Sequence, residues 1–301
     1  MSDLNMSKNF KPAILTSPDW KDYALLDSGD GRKLERYGDY CLVRPEAEAI
    51  WQPALSKRAW SNADAEYQVS SEPHGGHWTR RQGLPERWKI SYKGLNCWIQ
   101  PGASRHVGVF PEQAAHWDWL EQSIRESKRP VRVLNLFGYT GLASLAAARA
   151  GAEVTHLDAS GKVITWGKEN SQLSQLGSAP LRWIKDDAIK FVSREMRRAS
   201  TYDGLILDPP KFGRGPQGEV WDFYKMIAEL IASCRSILSP QPLFIVLTAY
   251  AVKASSVTLY YALEEMMSAW KGSLQAGELA IEEQSAGRLL STAVFARWKA
   301  N

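Results

Sequence analysis

Hydrophobic spacing changes character partway along the chain. Over residues 13–104 short apolar runs are broken by turn-forming residues. Tyr23-Ala-Leu-Leu26 leads into Asp27-Ser-Gly-Asp-Gly31, and Tyr40-Cys-Leu-Val43 reads as a returning strand. Trp88-Lys-Ile-Ser-Tyr92 and Leu95-Asn-Cys-Trp-Ile99 flank Lys93-Gly94 as a second hairpin. Runs of this length, bounded by Gly and Asp, predict strands. Residues 1–12 are polar and lack the pattern, so a disordered tail is expected there.

Residues 112–126 predict a helix that ends before Arg129-Pro130. Beyond Pro130, strand-length apolar runs alternate with helix-length segments. Strands are expected at 131–137, 153–158, 182–184, 204–207 and 243–248, and helices at 141–150, 161–176, 187–198, 219–238 and 254–270. Gly151 supplies a stop for the Ala-rich helix before it. Such alternation predicts an α/β fold with a mainly parallel sheet. The last two runs, Glu278-Leu-Ala-Ile281 and Thr292-Ala-Val-Phe-Ala-Arg-Trp298, have no helix between them and predict a closing antiparallel hairpin. The pattern therefore divides the chain into a small β-rich accessory unit over 13–104, suited to substrate recognition, and an α/β unit over 105–301.

Composition narrows the setting. With 301 residues, the chain is long enough for one large domain or two smaller ones. The net charge of +4 permits a nucleic-acid partner without demanding one. Three cysteines, Cys41, Cys97 and Cys234, give no disulfide framework, and a reducing cytoplasm is expected. The start lacks the apolar stretch of a signal peptide, and no run approaches membrane-spanning length, so no membrane partner is expected.

Candidate chemistry lies where two strands end. The first apolar run finishes in Asn135-Leu-Phe-Gly-Tyr-Thr-Gly141, and Gly138 and Gly141 let backbone approach a ligand where strand turns into helix. Asp158 closes the next strand, where a carboxylate can accept both ribose hydroxyls. The fuller glycine pattern that a dinucleotide pyrophosphate requires is missing. S-adenosylmethionine has no pyrophosphate, and the shorter turn suffices for it. Asp187 can accept from an adenine amino group, with Asp186 as a competing candidate, or it can simply cap the following helix. The glycines themselves can serve packing alone.

The second strand end, Asp208-Pro-Pro-Lys-Phe212, is rigid. Pro209 and Pro210 remove two N–H donors and hold their carbonyls as acceptors in fixed directions. Such a turn can present a planar base or an amine to a methyl donor, and positioning is then the main catalytic contribution. Asp208 can orient the acceptor or take its proton, and Lys211 can contact a phosphate. The plainer alternative is a strand-ending turn with no chemistry.

Together Asn-Leu-Phe-Gly-Tyr-Thr-Gly (135–141), Leu-Asp-Ala-Ser (157–160), Lys-Glu-Asn (168–170), Asp-Asp (186–187) and Asp-Pro-Pro-Lys-Phe (208–212) resemble the class I S-adenosylmethionine-dependent methyltransferases. More narrowly they resemble the large-subunit ribosomal RNA methyltransferase I group, which are cytosine-C5 methyltransferases, and its relatives. The resemblance covers about 105–301 well and 20–104 weakly. It implies a Rossmann-like fold with a seven-stranded sheet and closing hairpin, S-adenosylmethionine as cofactor, and methylation of an RNA base, with ribosomal RNA as substrate. It also implies cofactor contacts from Asn135, Phe137, Gly138, Thr140, Gly141, Asp158, Ala159, Ser160 and Asp187. Phe110 and Gln113, just before the first strand, are implied to touch the cofactor, or else belong to an ordinary loop. Asn170 is implied as a supporting polar contact, or else lies on a helix surface. Asp208, Pro209, Pro210 and Lys211 are the implied catalytic turn, and no metal is expected.

One departure bears on the chemistry. Cytosine-C5 methylation uses a thiolate that adds to C6. Where the resemblance places that cysteine, this chain has Ala249 in Leu247-Thr-Ala-Tyr250. A nitrogen acceptor, which already carries a lone pair, needs no thiolate.

Between 71 and 93, His77-Trp-Thr-Arg-Arg81 and Arg87-Trp-Lys89 interleave basic and aromatic residues. Bases stack on rings while Arg and Lys hold phosphates, which suits RNA, but a solvated charged face fits equally. His74-Gly-Gly-His77 lacks further metal ligands nearby and reads as a loop. Two other functions stay open: a methyltransferase for a small molecule or protein side chain, and a non-catalytic RNA-binding module retaining the cofactor fold.

Overall fold

The computed structural model describes residues 10–17, 20–70 and 75–301. The expected tail at 1–12 lies outside these residues up to position 9.

The first part of the chain contains β1 (Ala13–Thr16), β2 (Tyr23–Gly29), β3 (Arg32–Tyr37), β4 (Tyr40–Pro45), a short helix α1 (Lys57–Ser61), β5 (Ala65–Val69), β6 (Gly76–Arg80), β7 (Trp88–Tyr92) and β8 (Leu95–Ile99). Strands β2 to β6 form one sheet in chain order, and β7 with β8 forms the expected hairpin. The turn expected at 27–31 is tighter than its composition suggests. Strand β2 runs on through Gly29, and only Asp30 and Gly31 turn, at φ of 50° and 71°. That pair suits a two-residue hairpin whose twist matches its strands. Asp27 is thereby freed to point inward, where its carboxylate accepts from Trp60 Nε1 at 2.9 Å.

The rest comprises α2 (Ala114–Ser127), β9 (Arg132–Leu136), α3 (Leu142–Arg149), β10 (Glu153–Asp158), α4 (Gly161–Leu173), β11 (Leu181–Lys185), α5 (Ala188–Arg197) and β12 (Gly204–Leu207). Then follow β13 (Phe212–Arg214), β14 (Val220–Asp222), α6 (Phe223–Arg235), β15 (Phe244–Ala249), α7 (Ser256–Met266), β16 (Gly272–Glu282) and β17 (Leu289–Ala300). The large sheet has the order β1-β16-β17-β15-β12-β9-β10-β11. Its central strands β12 and β15 are buried along their whole length, as expected of strands covered by helices on both faces. The two terminal strands form the expected hairpin, longer than predicted, with β17 antiparallel to β15.

Two expectations need correction. The sheet has eight strands instead of seven, because β1 adds in parallel beside β16. Its four residues, Ala13-Ile-Leu-Thr16, are a short run between Pro12 and Ser17-Pro18, and Gly277 admits the close approach: a Cβ there would collide with the Ala13 backbone. Strand β1 thus joins the large sheet although it falls within 13–104. The helix expected at 219–238 starts only at Phe223, because Phe212–Asp222 folds back as the β13–β14 hairpin.

The two sheets share one core. Tyr23, Leu25 and Tyr37 of the small sheet pack in the same cluster as Val133, Ile206 and Phe244 of the large one. The small sheet is also pinned to the β16–β17 turn, where Ser28 Oγ donates to Glu283 at 2.5 Å and Ser285 Oγ to Asp27 at 2.7 Å. Among the described residues no helix is long and apolar enough to cross a membrane.

Candidate active site

Strands β9 and β12 are neighbours, with Leu136 paired to Leu207. From β9 the chain continues outward to β10 and β11, and from β12 it builds the other half of the sheet. This is a topological switch point, where loops at the carboxyl ends of strands diverge and leave a crevice. The 135–141 and 208–211 loops leave from the same level, and the Asp208 amide donates to the Leu136 carbonyl at 3.4 Å.

The turn after β9 is strained. Phe137, Tyr139 and Gly141 have φ of 59°, 50° and 88°. Two bulky aromatic residues, Phe137 and Tyr139, in the left-handed region mark a backbone overdetermined by its surroundings. What holds it is visible. The Tyr139 amide donates to Asp158 Oδ2 at 3.0 Å, and the Gly138 amide donates to the Leu157 carbonyl at 2.9 Å. Thr140 Oγ1 donates to the Gly108 carbonyl at 2.6 Å. Asn170 is fully buried, accepts from the Trp98 amide at 3.0 Å, and donates to the Thr140 carbonyl at 3.0 Å. Beneath the turn, Asn135 donates to Ser144 Oγ, which contacts His156 Nδ1, each at 2.9 Å. A Cβ at Gly138 would collide with the His156 ring, so the turn follows a contour that only glycine allows.

A cavity of about 330 Å³ opens over these strand ends. Its wall takes Phe137 and Tyr139 from the first turn, Asp158, Ala159 and Ser160 from the end of β10, Asp186 and Asp187 from the end of β11, and Asp208, Pro209 and Pro210 from the end of β12. Phe110 and Gln113 complete it from the segment before α2. A smaller adjoining space contacts Asn135, Gly138, Thr140 and Gly141. Of the residues singled out in the sequence, two lie elsewhere. Asn170 does not line either space and braces the glycine turn from behind; it is also no helix-surface residue. Lys211 is exposed, with its carbonyl accepting from the Phe223 amide at 3.0 Å where the β13–β14 hairpin ends.

The carboxylates differ in their restraints. Asp158 accepts from the Tyr139 and Ser160 amides, and burial nonetheless holds its pKa above the ordinary aspartate value. Asp187 is the N-cap of α5 and accepts from the Lys190 amide at 3.0 Å, so it caps the helix as well as lining the cavity. Asp186 pairs with Arg194 and accepts from the Asp187 amide. Asp208 has its pKa raised by burial, against the opposing effect of a hydrogen bond from Thr248. Gln113 Nε2 lies 3.4 Å from both Asp208 Oδ2 and Thr248 Oγ1. Trp221 of β14 donates to the Pro210 carbonyl at 2.6 Å, locking the second proline from below.

Three lining residues, His106, Glu112 and Tyr250, carry no signal in their local sequence. Trp221 and the nearby Gly213 and Arg214 arrive through the β13–β14 hairpin. The density of glycine and proline in Gly213-Arg-Gly-Pro-Gln-Gly218 is the signal that could have revealed it.

Fold and cavity together define a Rossmann-like α/β protein with a nucleoside-sized cavity beside a rigid Asp208-Pro-Pro turn. The chain belongs to the S-adenosylmethionine-dependent methyltransferase family, whose model matches residues 59–247. It is 37% identical over 224 residues to the ribosomal RNA large subunit methyltransferase K/L of Shewanella frigidimarina, covering 69% of this chain and 31% of that protein. The protein of the same name from Pseudoalteromonas translucida is 32% identical over 123 residues, 40% of this chain and 17% of that one. The chain thus spans less than a third of the length of these relatives. A solved S-adenosylmethionine-dependent methyltransferase from Agrobacterium tumefaciens superposes with a TM-score of 0.92 at 49% identity, covering 96% of this chain and 94% of that one.

This chain therefore carries the fold of that family, and S-adenosylmethionine is its cofactor. The residues present fit that group: a glycine turn too tight for a side chain beside a carboxylate at the end of the neighbouring strand.

Proposed function

We propose that this enzyme methylates a nitrogen atom of a nucleobase in RNA, with ribosomal RNA as substrate, in the cytoplasm. The carrying observation is that the cofactor turn and the Asp208-Pro-Pro210 turn open onto one cavity that contains no thiol. Cys97 and Cys234 are buried elsewhere, Cys41 sits in β4, and Ala249 is 1% exposed. A pyrimidine carbon becomes nucleophilic only after a thiolate adds to the ring, whereas a nitrogen offers its own lone pair.

The cofactor, when bound, supplies an electrophilic methyl group on a sulfonium centre. Asp158 would hold the ribose hydroxyls and Asp187 or Asp186 the adenine amino group. Asn135, Phe137, Gly138, Thr140 and Gly141 would enclose the remainder, with Gln113 and Phe110 at its border and Ala159 and Ser160 alongside Asp158. The carbonyls of Pro209 and Pro210 and the carboxylate of Asp208 would orient the acceptor. A carboxylate with a raised pKa is a better proton acceptor than an ordinary one.

RNA is favoured by the relatives' names and by the surface of the accessory unit, for which we retain the division 13–104 and 105–301. His77, Arg80, Arg81, Arg87 and Lys89 are exposed, and the Arg87 guanidinium lies 4.4 Å over the Trp98 ring. His74 lies outside the described residues. Lys211, exposed beside the acceptor turn, would meet a phosphate.

The test is transfer of a labelled methyl group from S-adenosylmethionine to total RNA from cells lacking this protein, with Asp208→Ala as control. Label in ribosomal RNA, recovered as an N-methylated nucleoside and absent with the variant, is expected. Cofactor binding without labelled RNA moves the acceptor to a small molecule or protein, or makes the chain a binding module. Label at carbon overturns the nitrogen assignment.

A further inference from the structure

One end of the cavity is built by residues that neither the cofactor turn nor the acceptor turn accounts for. His106, Phe110, Glu112 and Tyr250 line the main cavity and also border a small polar recess lined by the buried Lys33 and Arg44 of the first sheet. Three of the four are rings. His106 and Phe110 have centroids 5.1 Å apart, and His106 and Tyr250 6.3 Å. Arg105 fixes Tyr250 by donating to its hydroxyl at 2.7 Å. Burial, together with Arg44 and Arg105, pushes the His106 pKa down to about 3, so this ring is neutral and presents an aromatic face.

Glu112 is the fourth and differs from every acid around it. Glu35 is bonded to Arg44 at 2.6 Å, and Glu46 pairs with Lys33 at 3.0 Å. Glu112 is only 7% exposed, yet its carboxyl forms no hydrogen bond with another residue and no ion pair among the described residues. It sits in the 3₁₀ turn Pro111–Gln113, next to the glutamine that reaches Asp208. Buried carboxyls are ordinarily satisfied, and the open side of this one is the cavity. Burial pushes its pKa up to about 7, which a donor arriving from the cavity would reverse.

We propose that Glu112 reads the acceptor base, accepting a hydrogen bond from the amino group of a base stacked among Phe110, His106 and Tyr250. The inference rests on the nucleobase reading above. It makes the enzyme selective for an amino-bearing base over uracil, which turns carbonyl oxygens toward either side of its single ring N–H. A site built to bond an N–H group rejects the analogue that lacks it, because the site's own polar group is then left unpaired.

The probes are GMP, AMP, CMP and UMP, titrated by equilibrium dialysis against the full-length protein loaded with S-adenosylhomocysteine, which keeps adenine out of the cofactor site. At least one amino-bearing nucleotide is expected to bind roughly tenfold or more tighter than UMP, the range of a hydrogen bond to a charged group. Glu112→Gln should bring that ratio to near unity while its melting temperature and S-adenosylhomocysteine affinity stay at wild-type values. Glu112→Asp, which keeps the charge and shortens the reach, should fall between. No discrimination among the four nucleotides, or discrimination that survives Glu112→Gln, overturns the proposal. The RNA reading is separated from it by the transfer assay. Equal labelling of RNA by wild type and Glu112→Gln removes the role of Glu112 and keeps RNA. Nucleotide discrimination lost in Glu112→Gln, without any label in RNA, keeps Glu112 and removes RNA.

Discussion

Thr248 donates its hydroxyl to Asp208 Oδ1 at 2.6 Å, joining the ends of two adjacent parallel strands, β15 and β12. This bond faces the problem that burial creates for Asp208: a carboxylate removed from water is disfavoured, and a donor at this distance restores part of what it loses.

Removing the donor should therefore show in the chemistry. Thr248→Val keeps the volume and shape while taking away a hydrogen bond to a charged group, worth about 1.5–3 kcal/mol. Transfer should fall by roughly tenfold to a hundredfold, while cofactor affinity changes little. Asp208→Ala should abolish transfer and leave binding largely intact. The Asp208 pKa lies above the ordinary value of 3.8, so the acid limb of the rate profile should lie above the usual aspartate range. It should move further up in Thr248→Val, where the stabilising donor is gone. A profile identical in the two proteins would remove Asp208 as the titrating group.

Asp158 makes a different prediction. Its two oxygens already accept from the Tyr139 and Ser160 amides, at 3.0 and 2.9 Å, and so the carboxylate is fixed before a ligand arrives. Asp158→Ala removes the carboxylate proposed to hold the ribose and also frees the Tyr139 amide, in a turn of positive φ. Affinity for S-adenosylmethionine, measured by calorimetry, should weaken at least about a hundredfold, the upper range of a charged hydrogen bond. Unchanged affinity would mean that the donor site lies elsewhere.

How much of this was legible in the sequence depends on whether the signal was local. The loops at 135–141 and 208–212 could be read because each follows an apolar run and carries glycines or prolines that have few other uses. The parallel core followed from the same runs. Thr248, Glu112, His106 and Tyr250 could not be read, because only the pairing of β15 beside β12 and the docking of the first sheet bring them to the cavity. Strand β3 was hidden for a related reason. Arg32-Lys-Leu-Glu-Arg-Tyr37 looks like a solvated segment, yet Lys33 and Glu35 are buried and mutually compensated with Arg44 and Glu46. Paired charges can occupy a strand interior, but hydrophobic alternation does not reveal the pairing. Asn170 shows the converse: a polar residue on a helix, buried because it hydrogen-bonds backbone from two other segments.

The glycines of the cofactor turn should tolerate no side chain. A Cβ at Gly138 would lie 2.6 Å from His156 Nδ1, and one at Gly141, at φ 88°, would lie 2.9 Å from the Trp183 ring. Overpacking of this kind costs about 1–3 kcal/mol, and Gly141→Ala adds the strain of a left-handed residue. Both variants should melt several degrees lower and bind S-adenosylmethionine weakly. Gly151→Ala is the contrast. Nothing lies within 4 Å of a Cβ there, so its cost is the positive φ of 101° alone, and cofactor affinity should be kept. If Gly138→Ala bound the cofactor as well as Gly151→Ala, close backbone approach would not explain the turn.

Buried histidines set the last prediction, the acid limit of stability. His116 and His156 are held down to about 3 by burial, against an ordinary 6.5. In the folded protein each is neutral at pH 5, whereas in the unfolded chain each takes up a proton below 6.5. The unfolded state therefore binds more protons across this window, so stability is full above 6.5 and falls as pH drops toward 3. Each group contributes up to about 1.4 kcal/mol per pH unit in that window. His116 isolates the effect, since among the described residues neither ring nitrogen has a partner, and the ring packs against Phe295 at 5.1 Å. His116→Phe removes a titrating group without breaking a hydrogen bond. In urea unfolding at pH 7.5 and pH 5 it should lose less stability between the two conditions than wild type, by roughly 2 kcal/mol. An equal loss in both proteins would mean that His116 is protonated in the folded state.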